Sequence, residues 1–263
     1  MRGLFAHLTG ILVAVQFLTK LPVPRLGAPT ARDLGRSMAY YPIVGFAIGA
    51  LLCLLDRALS MALSPLLTSV LIVTAWAAIT GALHLEGFAD TADGIAAGGD
   101  RERTLAVMKD PNTGAKGAAA LAFLILVKIA VLSELTPDAR SWALLIAPVL
   151  SRWAMTATAV ICPYARPEGG LGKGFVEEAG VVELVIACAS AIAIGGALLG
   201  WRFALPASAA IASTALYAIF MKKKIGGMTG DTLGALNELV ETIALASFLA
   251  LPVLAHTLPA FPV

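Results

Sequence analysis

The clearest indication of the fold is the run VELVIACASAIAIGGALLG, residues 182–200, in which Glu183 is the one charged side chain. A helix that crosses a bilayer needs about 20 mostly apolar residues. Six more runs meet this requirement, and residues 3–19 form an eighth, weaker one that is either a span or an interfacial helix. We therefore predict an all-α fold, a polytopic transmembrane helical bundle that occupies residues 1–263 as a single domain. The other six predicted spans are 38–62, 66–86, 116–134, 141–161, 204–221 and 232–258.

The composition of the whole chain agrees with this prediction. Of its 263 residues, 59% are hydrophobic and only 14% are charged, and the mean hydropathy is +0.85. A soluble domain is about half apolar and a quarter charged, so the lipid bilayer is the expected surrounding. The formal net charge of +2 gives no electrostatic basis for binding nucleic acid. Cys53, Cys162 and Cys188 have neither metal-ligand nor redox spacing and are predicted to be small buried residues.

The loops between the predicted spans alternate in positive charge. Every second loop is rich in Lys and Arg, and these loops face the cytoplasm by the positive-inside rule. We therefore predict a multi-pass protein of the cytoplasmic (inner) membrane, with its polar, glycine-rich motifs and its active site on the cytoplasmic side. The basic loops are 20–37, 87–115, 162–181 and 222–231.

A group of acidic residues lies in the motif HLEGFADTADG, residues 84–94, at the end of a predicted span. At about 100° per residue, Glu86, Asp90 and Asp93 fall on one stripe of a helix. Carboxylates so placed repel one another unless a cation compensates them, and hard oxygen ligands suit Mg²⁺. A solvated helix end is the alternative. His84 lies on the other side of such a helix and is predicted to be packed rather than to bind a metal.

A glycine-rich turn precedes the next predicted span, in MKDPNTGAKG, residues 108–117. The free N–H groups of a helix that begins near Gly114 and Gly117 would attract an anion, and Lys109 and Lys116 would add positive charge. The alternative is an ordinary turn before a helix, with lysines that anchor it at the membrane surface.

A second glycine-rich motif, GGMTGDTLGA at residues 226–235, leads into the last predicted span. It contains Gly227 and Gly230, and Asp231 is predicted as an N-cap or a metal ligand. Glu238 shares a helix face with Asp231 and, like Glu241, lies inside an apolar run, where ionisable groups indicate function. The alternative is that these polar groups join neighbouring helices.

Two basic residues also lie within predicted spans. Arg152 is predicted either to bind an anionic substrate group or to pair with Asp56 or Glu183, and Lys128 is similar but less specific. A transporter that uses both cations with Glu238 and Glu241 as an ion path is one competing hypothesis, and a passive scaffold, which would leave the acidic stripe unexplained, is another.

Carboxylates for Mg²⁺ and N–H or lysine groups for phosphate are the parts that phosphoryl transfer uses. The stretch DTADGIAA at 90–97 partly resembles the core of the CDP-alcohol phosphotransferases. However, Gly98 stands where that family has arginine, and Ala235 stands where it needs a further acid.

A fuller resemblance runs in order through nearly the whole chain. Its motifs are 17–24, 41–45, 84–94, 108–110 with Gly114 and Gly117, 151–153 and 227–235. Through them the chain resembles the cobalamin synthase family, the adenosylcobinamide-GDP ribazoletransferases, although Glu86 departs from the family pattern, which usually has aspartate there. The resemblance implies a Mg²⁺-dependent phosphotransferase that joins the corrinoid nucleotide adenosylcobinamide-GDP to α-ribazole or its 5′-phosphate and releases GMP. Association with other cobalamin-assembly enzymes, or as a homo-oligomer, is left open.

We combine the motifs and the resemblance in one hypothesis for the site. The ribazole 3′-hydroxyl attacks the cobinamide-side phosphorus, and a carboxylate accepts its proton. The predicted metal ligands are Glu86, Asp90, Asp93, Asp231 and Glu238. The predicted catalytic residues are Asp90, Asp93, Asp231 and Lys109. The residues predicted to bind the substrate are Gly114, Gly117, Arg152, Gly227 and Gly230.

Overall fold

The structure, a computed structural model, describes residues 2–24, 27–166, 168–170 and 172–250, and of residues 2–6 it describes only the backbone. These residues form α-helices joined by short turns, with no β-strand, so the predicted all-α class is confirmed. The helices are α1 (Arg2–Leu18), α2 (Ala31–Ser37), α3 (Tyr41–Leu59), α4 (Pro65–Thr80), α5 (Leu83–Ala96), α6 (Arg101–Val107), α7 (Ala115–Glu134), α8 (Pro137–Ile161), α9 (Lys173–Glu178), α10 (Val181–Leu199), α11 (Ala204–Ile225) and α12 (Gly230–Ser247).

Four helical stretches of the described chain are long and apolar enough to cross a membrane, and a fifth qualifies if α4 and α5 count as one bent span. One of the four, 181–225, contains two of the seven predicted spans, which a short 3₁₀ turn at Gly200–Phe203 separates. The weak stretch at 3–19 forms α1, whose apolar part, His7–Leu18, is shorter than these four. The end of the predicted span 232–258 lies outside the described residues.

Large apolar side chains cover much of the outer surface of the bundle. Leu54, Phe123, Ile192 and Leu216 are each more than 60% exposed. A soluble protein rarely exposes so many large apolar groups together. Their positions on four different helices fit a protein whose outer surface faces lipid.

The predicted span 66–86 is not one straight helix, because its last six residues, 81–86, lie beyond the end of α4. Helix α4 ends at Thr80, and Gly81 and Ala82 follow with left-handed φ values of 63° and 57°. Glycine tolerates this conformation, and a left-handed residue commonly ends a helix. The chain then begins α5, which lies at 94° to α4. The acidic motif therefore forms a separate helix that turns away from the span.

Helix α8 lies at the centre of the bundle and packs against α3 through two glycines. A Cβ atom added at Gly45 would lie 2.3 Å from the Pro148 carbonyl oxygen, and one at Gly49 would lie 2.5 Å from the Leu144 oxygen. Small residues let membrane helices approach this closely. Helix α12 packs on another side of α8 and also against α5, and in this way the core fixes the position of both predicted motifs.

The three cysteines are free thiols. Cys53 and Cys162 are buried, as predicted, whereas Cys188 is half-buried. The indole N–H of Trp153 donates to the Cys188 sulfur at 3.2 Å. This contact joins α8 to α10.

Candidate active site

Helices α5 and α12 cross at a point where both carry glycine. A Cβ atom at Gly87 would lie 2.7 Å from the Asp231 carbonyl oxygen, and one at Gly234 would lie 3.3 Å from the His84 Cα. No larger residue fits there without moving a backbone. The crossing brings the 84–94 motif and the 226–235 motif together, although they are far apart in the sequence.

Asp93 caps the start of α7. One of its carboxylate oxygens accepts the Gly114 N–H at 2.7 Å, and the other accepts the Gly117 N–H at 2.7 Å. A Cβ atom at Gly117 would lie only 2.2 Å from Asp93 Oδ2. The sequence correctly indicated an anion site at this helix start, but the anion is Asp93 itself. These contacts indicate a structural role for all three residues, while the roles predicted for Asp93 as metal ligand, and for both glycines in substrate binding, stay predictions.

The two lysines of this turn also have partners within the protein. Lys109 forms an ion pair with Glu168, and both side chains are about half exposed. Lys116 Nζ donates to the Ala96 carbonyl oxygen at 3.3 Å. The catalytic role predicted for Lys109 stays a prediction.

Asp90 lies at the centre of the remaining negative charge. Partial burial, together with the negative charges of Asp231, Glu86 and Asp93, raises the pKa of its carboxyl group to about 6, against the opposing effect of Arg166. Carboxylates that hold a neighbour partly protonated create a strongly negative region. A cation placed there would relieve the repulsion.

Asp231 is held by an arginine that the sequence analysis did not single out. Arg166 Nη2 lies 2.8 Å from Asp231 Oδ2. Asp231 is not the N-cap of α12, because Thr229 occupies that position and forms a capping box with Thr232. The sequence shows no motif around Arg166, which is one of several charged residues in its loop.

The loop that carries Arg166 is fixed by backbone pairing with the turn before α12. The Met228 N–H donates to the Pro163 carbonyl at 2.9 Å, and the Ala165 N–H donates to the Met228 carbonyl at 2.8 Å. A Cβ atom at Gly227 would lie 2.1 Å from the Pro163 oxygen. Gly227 therefore permits this pairing, and the substrate-binding role predicted for it stays a prediction.

Gly230 lies against Gly172. A Cβ atom at Gly172 would lie 2.6 Å from the Gly230 nitrogen, so Gly172 has to be glycine to pass this close to the start of α12, whereas a Cβ atom at Gly230 would make an ordinary contact at 3.7 Å. Both residues line the cavity described below. The substrate role predicted for Gly230 therefore stays a prediction.

Glu238 and Glu241 belong to a buried ion cluster instead of the acidic site. Lys128 Nζ lies 2.5 Å from Glu238 Oε2 and 2.5 Å from Glu241 Oε1, and Arg152 binds the other oxygen of Glu241. Glu238 follows Asp231 by seven residues, a rise of about 10 Å along the helix. These partners favour the alternative of polar groups that join helices, and Glu238 as a metal ligand and Arg152 as a substrate contact stay predictions.

The two partners suggested for Arg152 are engaged elsewhere. Asp56 forms a buried ion pair with Arg140, with an N–O distance of 2.6 Å, and Glu183 accepts the Gly180 N–H at 2.9 Å. The cluster of Lys128, Arg152, Glu238 and Glu241 has two charges of each sign. Such a balanced group can lie in the low-dielectric interior, whereas a single charge there would be costly.

A cavity of about 200 Å³ opens beside the α5–α12 crossing. Glu86 and Asp231 line one part of it, and His84 lines another. His84 is buried and accepts a hydrogen bond from Asn237 Nδ2 at 3.2 Å, so the prediction that it is packed is confirmed. The rest of the wall is mainly apolar and includes Phe17, Met38, Tyr41, Leu83, Met155 and Phe175.

The acidic residues suit a divalent cation in chemistry but do not form a complete cage. Within the described ranges, no group of three or more His, Cys, Asp or Glu side chains is arranged to hold a metal ion. Mg²⁺ usually takes only one or two protein carboxylates and completes its shell with water and substrate phosphate. Glu86, Asp90 and Asp231 offer hard oxygen ligands of that kind around one negative region.

Comparison with known proteins gives consistent matches over almost the whole chain. Residues 10–249 match the family model described as cobalamin-5-phosphate synthase. Three relatives are each named adenosylcobinamide-GDP ribazoletransferase. That of Pseudomonas putida (strain GB-1) is 42% identical over 236 residues, 88% of this chain and 94% of the relative. That of Syntrophobacter fumaroxidans is 40% identical and covers 89% of this chain and 95% of the relative. That of Geotalea daltonii is 38% identical and covers 91% of this chain and 96% of the relative. No solved structure matches the chain significantly.

Proposed function

We propose a site and a mechanism for this chain from the premise that it belongs to the cobalamin-5-phosphate synthase family. It is a transferase that joins adenosylcobinamide-GDP to α-ribazole, or to α-ribazole 5′-phosphate, and releases GMP in the late nucleotide-loop step of cobalamin biosynthesis. The CDP-alcohol phosphotransferase and transporter hypotheses are not favoured, since relatives that match about nine-tenths of the chain are ribazoletransferases.

The reaction takes place, in this proposal, at the crossing of α5 and α12. The observation that supports this location is that Glu86 and Asp231, from two distant motifs, line one cavity, with Asp90 in the same negative region. We assign these three carboxylates as the Mg²⁺ ligands. The bound ion would neutralise charge on the pyrophosphate and so favour its cleavage.

The protein's own residues bind and orient the reactants. Arg166, held by Asp231 at the edge of the site, binds a phosphate oxygen of the substrate through its guanidinium group. The ribazole hydroxyl oxygen forms a bond to the cobinamide-side phosphorus while the bond from that phosphorus to the bridging oxygen breaks. GMP leaves with the bridging oxygen, and one carboxylate of the acidic trio (Glu86, Asp90 and Asp231) accepts the hydroxyl proton. Asp93 positions this site, because it fixes α5 against the start of α7.

The proposal is tested by GMP release from purified protein supplied with adenosylcobinamide-GDP, α-ribazole and Mg²⁺. We expect Asp90→Asn and Asp231→Asn to lower turnover by about 100-fold or more, since each removes charge that faces the pyrophosphate. Asp138→Asn, the same exchange at an exposed residue in the first turn of α8, serves as the matched control and keeps full activity. Full turnover of Asp90→Asn, or full turnover in EDTA, would overturn the assignment.

We further propose that this site faces the cytoplasm across the inner membrane. The support is the alternation of basic loops along the sequence. Thr113 lies exposed in the turn before α7, and Met61, 88% exposed, lies in the turn that the same rule places outside. Thr113→Cys should react with a membrane-impermeant thiol reagent in inverted vesicles, and Met61→Cys should react in right-side-out ones. The opposite pattern would reverse the orientation.

A further inference from the structure

The cavity beside the acidic trio has a wall of aromatic rings. Phe17 and Phe175 lie with their ring centroids 4.3 Å apart, and Tyr41 and Phe175 lie 6.3 Å apart. Tyr41 and Phe175 are buried, whereas Phe17 is half-buried. The rings pack on one another, and the partly exposed ring of Phe17 is the one on which a further aromatic ring can stack. The wall therefore suits a flat, apolar ligand better than a sugar or a phosphate.

His84 adds one polar group to this apolar wall. It is only 2% exposed, and its Nδ1 accepts the hydrogen bond from Asn237 Nδ2. A neutral imidazole with an acceptor at Nδ1 carries its proton at Nε2. Nε2 has no hydrogen-bond partner among the described residues. A buried donor without a partner is costly in a protein interior, so a ligand acceptor that satisfies it would bind with preference.

The size of the cavity limits what can enter. Its volume of about 200 Å³ is below the roughly 300–1,000 Å³ of pockets that hold drug-sized ligands. A corrin ring does not fit, and the guanine nucleotide with its phosphates is both too large and too polar. A single fused bicyclic ring fits the volume and the apolar lining.

We propose that this cavity binds the aromatic base of the ribazole acceptor, with His84 Nε2–H donating to the unsubstituted ring nitrogen of the benzimidazole. The inference rests on the proposed function, because it names the place of one substrate in that site. The other ring nitrogen carries the sugar. Glu86 and Asp231 line the same cavity, so a base bound there brings its ribose next to the carboxylates. His84 is thus a specificity residue for bases that have an acceptor nitrogen.

The test compares α-ribazole with the riboside of dimethylindole, which has a C–H group in place of the acceptor nitrogen. For the wild-type enzyme we expect KM to be about 10-fold or more higher for the indole riboside. In His84→Phe, KM for α-ribazole should rise by a similar factor while KM for the indole riboside stays unchanged, so the discrimination disappears. His7→Phe, the same exchange at an exposed histidine, should leave both values unchanged.

Two results would overturn the inference. Equal KM values for the two ribosides in the wild type would show that no protein donor forms a hydrogen bond to the ring nitrogen. This measurement needs no variant. A rise of both KM values by the same factor in His84→Phe would show a merely structural role. Neither result depends on the acidic trio, whose failure would be seen as full activity of Asp90→Asn. The two proposals therefore fail separately.

Discussion

Asp93→Asn is the change that best separates the structure from the role that the sequence suggested. In the structure both carboxylate oxygens accept backbone N–H groups at 2.7 Å, from Gly114 and Gly117. A hydrogen bond to a charged group contributes about 1.5–3 kcal/mol, and a negative charge at a helix start adds about 0.3–1 kcal/mol. Asparagine keeps one acceptor but turns an amide N–H₂ toward the other backbone N–H. We therefore expect the free energy of unfolding to fall by about 2–3 kcal/mol.

The assay is unfolding of the purified protein in mixed micelles, followed by helical circular dichroism. Asp90→Asn is the comparison, because it removes a carboxylate whose neighbours repel it and should leave stability unchanged or raise it while activity is lost. The Mg²⁺ concentration for half-maximal activity should stay unchanged in Asp93→Asn, measured well below its unfolding midpoint. Wild-type stability together with a raised Mg²⁺ requirement would make Asp93 a ligand and refute the reasoning.

Three further changes test other contacts. Gly117→Ala places a methyl group 2.2 Å from the Asp93 carboxylate and should lower the free energy of unfolding by about 1–3 kcal/mol or more. Gly196→Ala is the control, because nothing lies within 4 Å of the added methyl group. In the same unfolding assay it should be neutral or slightly stabilising. Lys128→Met removes one positive partner from each of the buried carboxylates of Glu238 and Glu241 and should lower the free energy of unfolding by about 3–5 kcal/mol. Adding Glu238→Gln should restore part of that stability. An equal loss of stability in the double variant would count against the pairing. Arg166→Gln should raise KM for adenosylcobinamide-GDP by about 10-fold with little change in KM for α-ribazole; equal effects on both would contradict its contact with the phosphate.

Sequence reasoning was most successful where chemistry repeats along the chain. Long apolar runs predicted the all-α membrane fold, and acidic and glycine-rich motifs predicted two segments that do meet at Gly87 and Asp231. The close approach needs glycine on α5, and in the sequence Gly87 directly follows the acidic residue Glu86. The prediction that His84 is packed was also confirmed.

It was least decisive where two arrangements need the same residues. A carboxylate that caps a helix and one that binds a metal have the same spacing on their own helix, so the pattern could not assign Asp93. Arg152 and Glu241 are 89 residues apart, and only the packing of α8 against α12 reveals that they pair. Hydropathy likewise measures composition and not direction, and therefore the run through Gly81 was read as one straight span.

The sharp turn between α4 and α5 determines how a bulky substrate can reach the chemistry. Helix α5 is set at 94° to α4, so the chain leaves the direction of α4 before the first carboxylate of the acidic motif. The 14 residues of α5 rise by about 21 Å beside α4 instead of extending it. A substrate that approaches these carboxylates therefore does not have to follow the axis of α4.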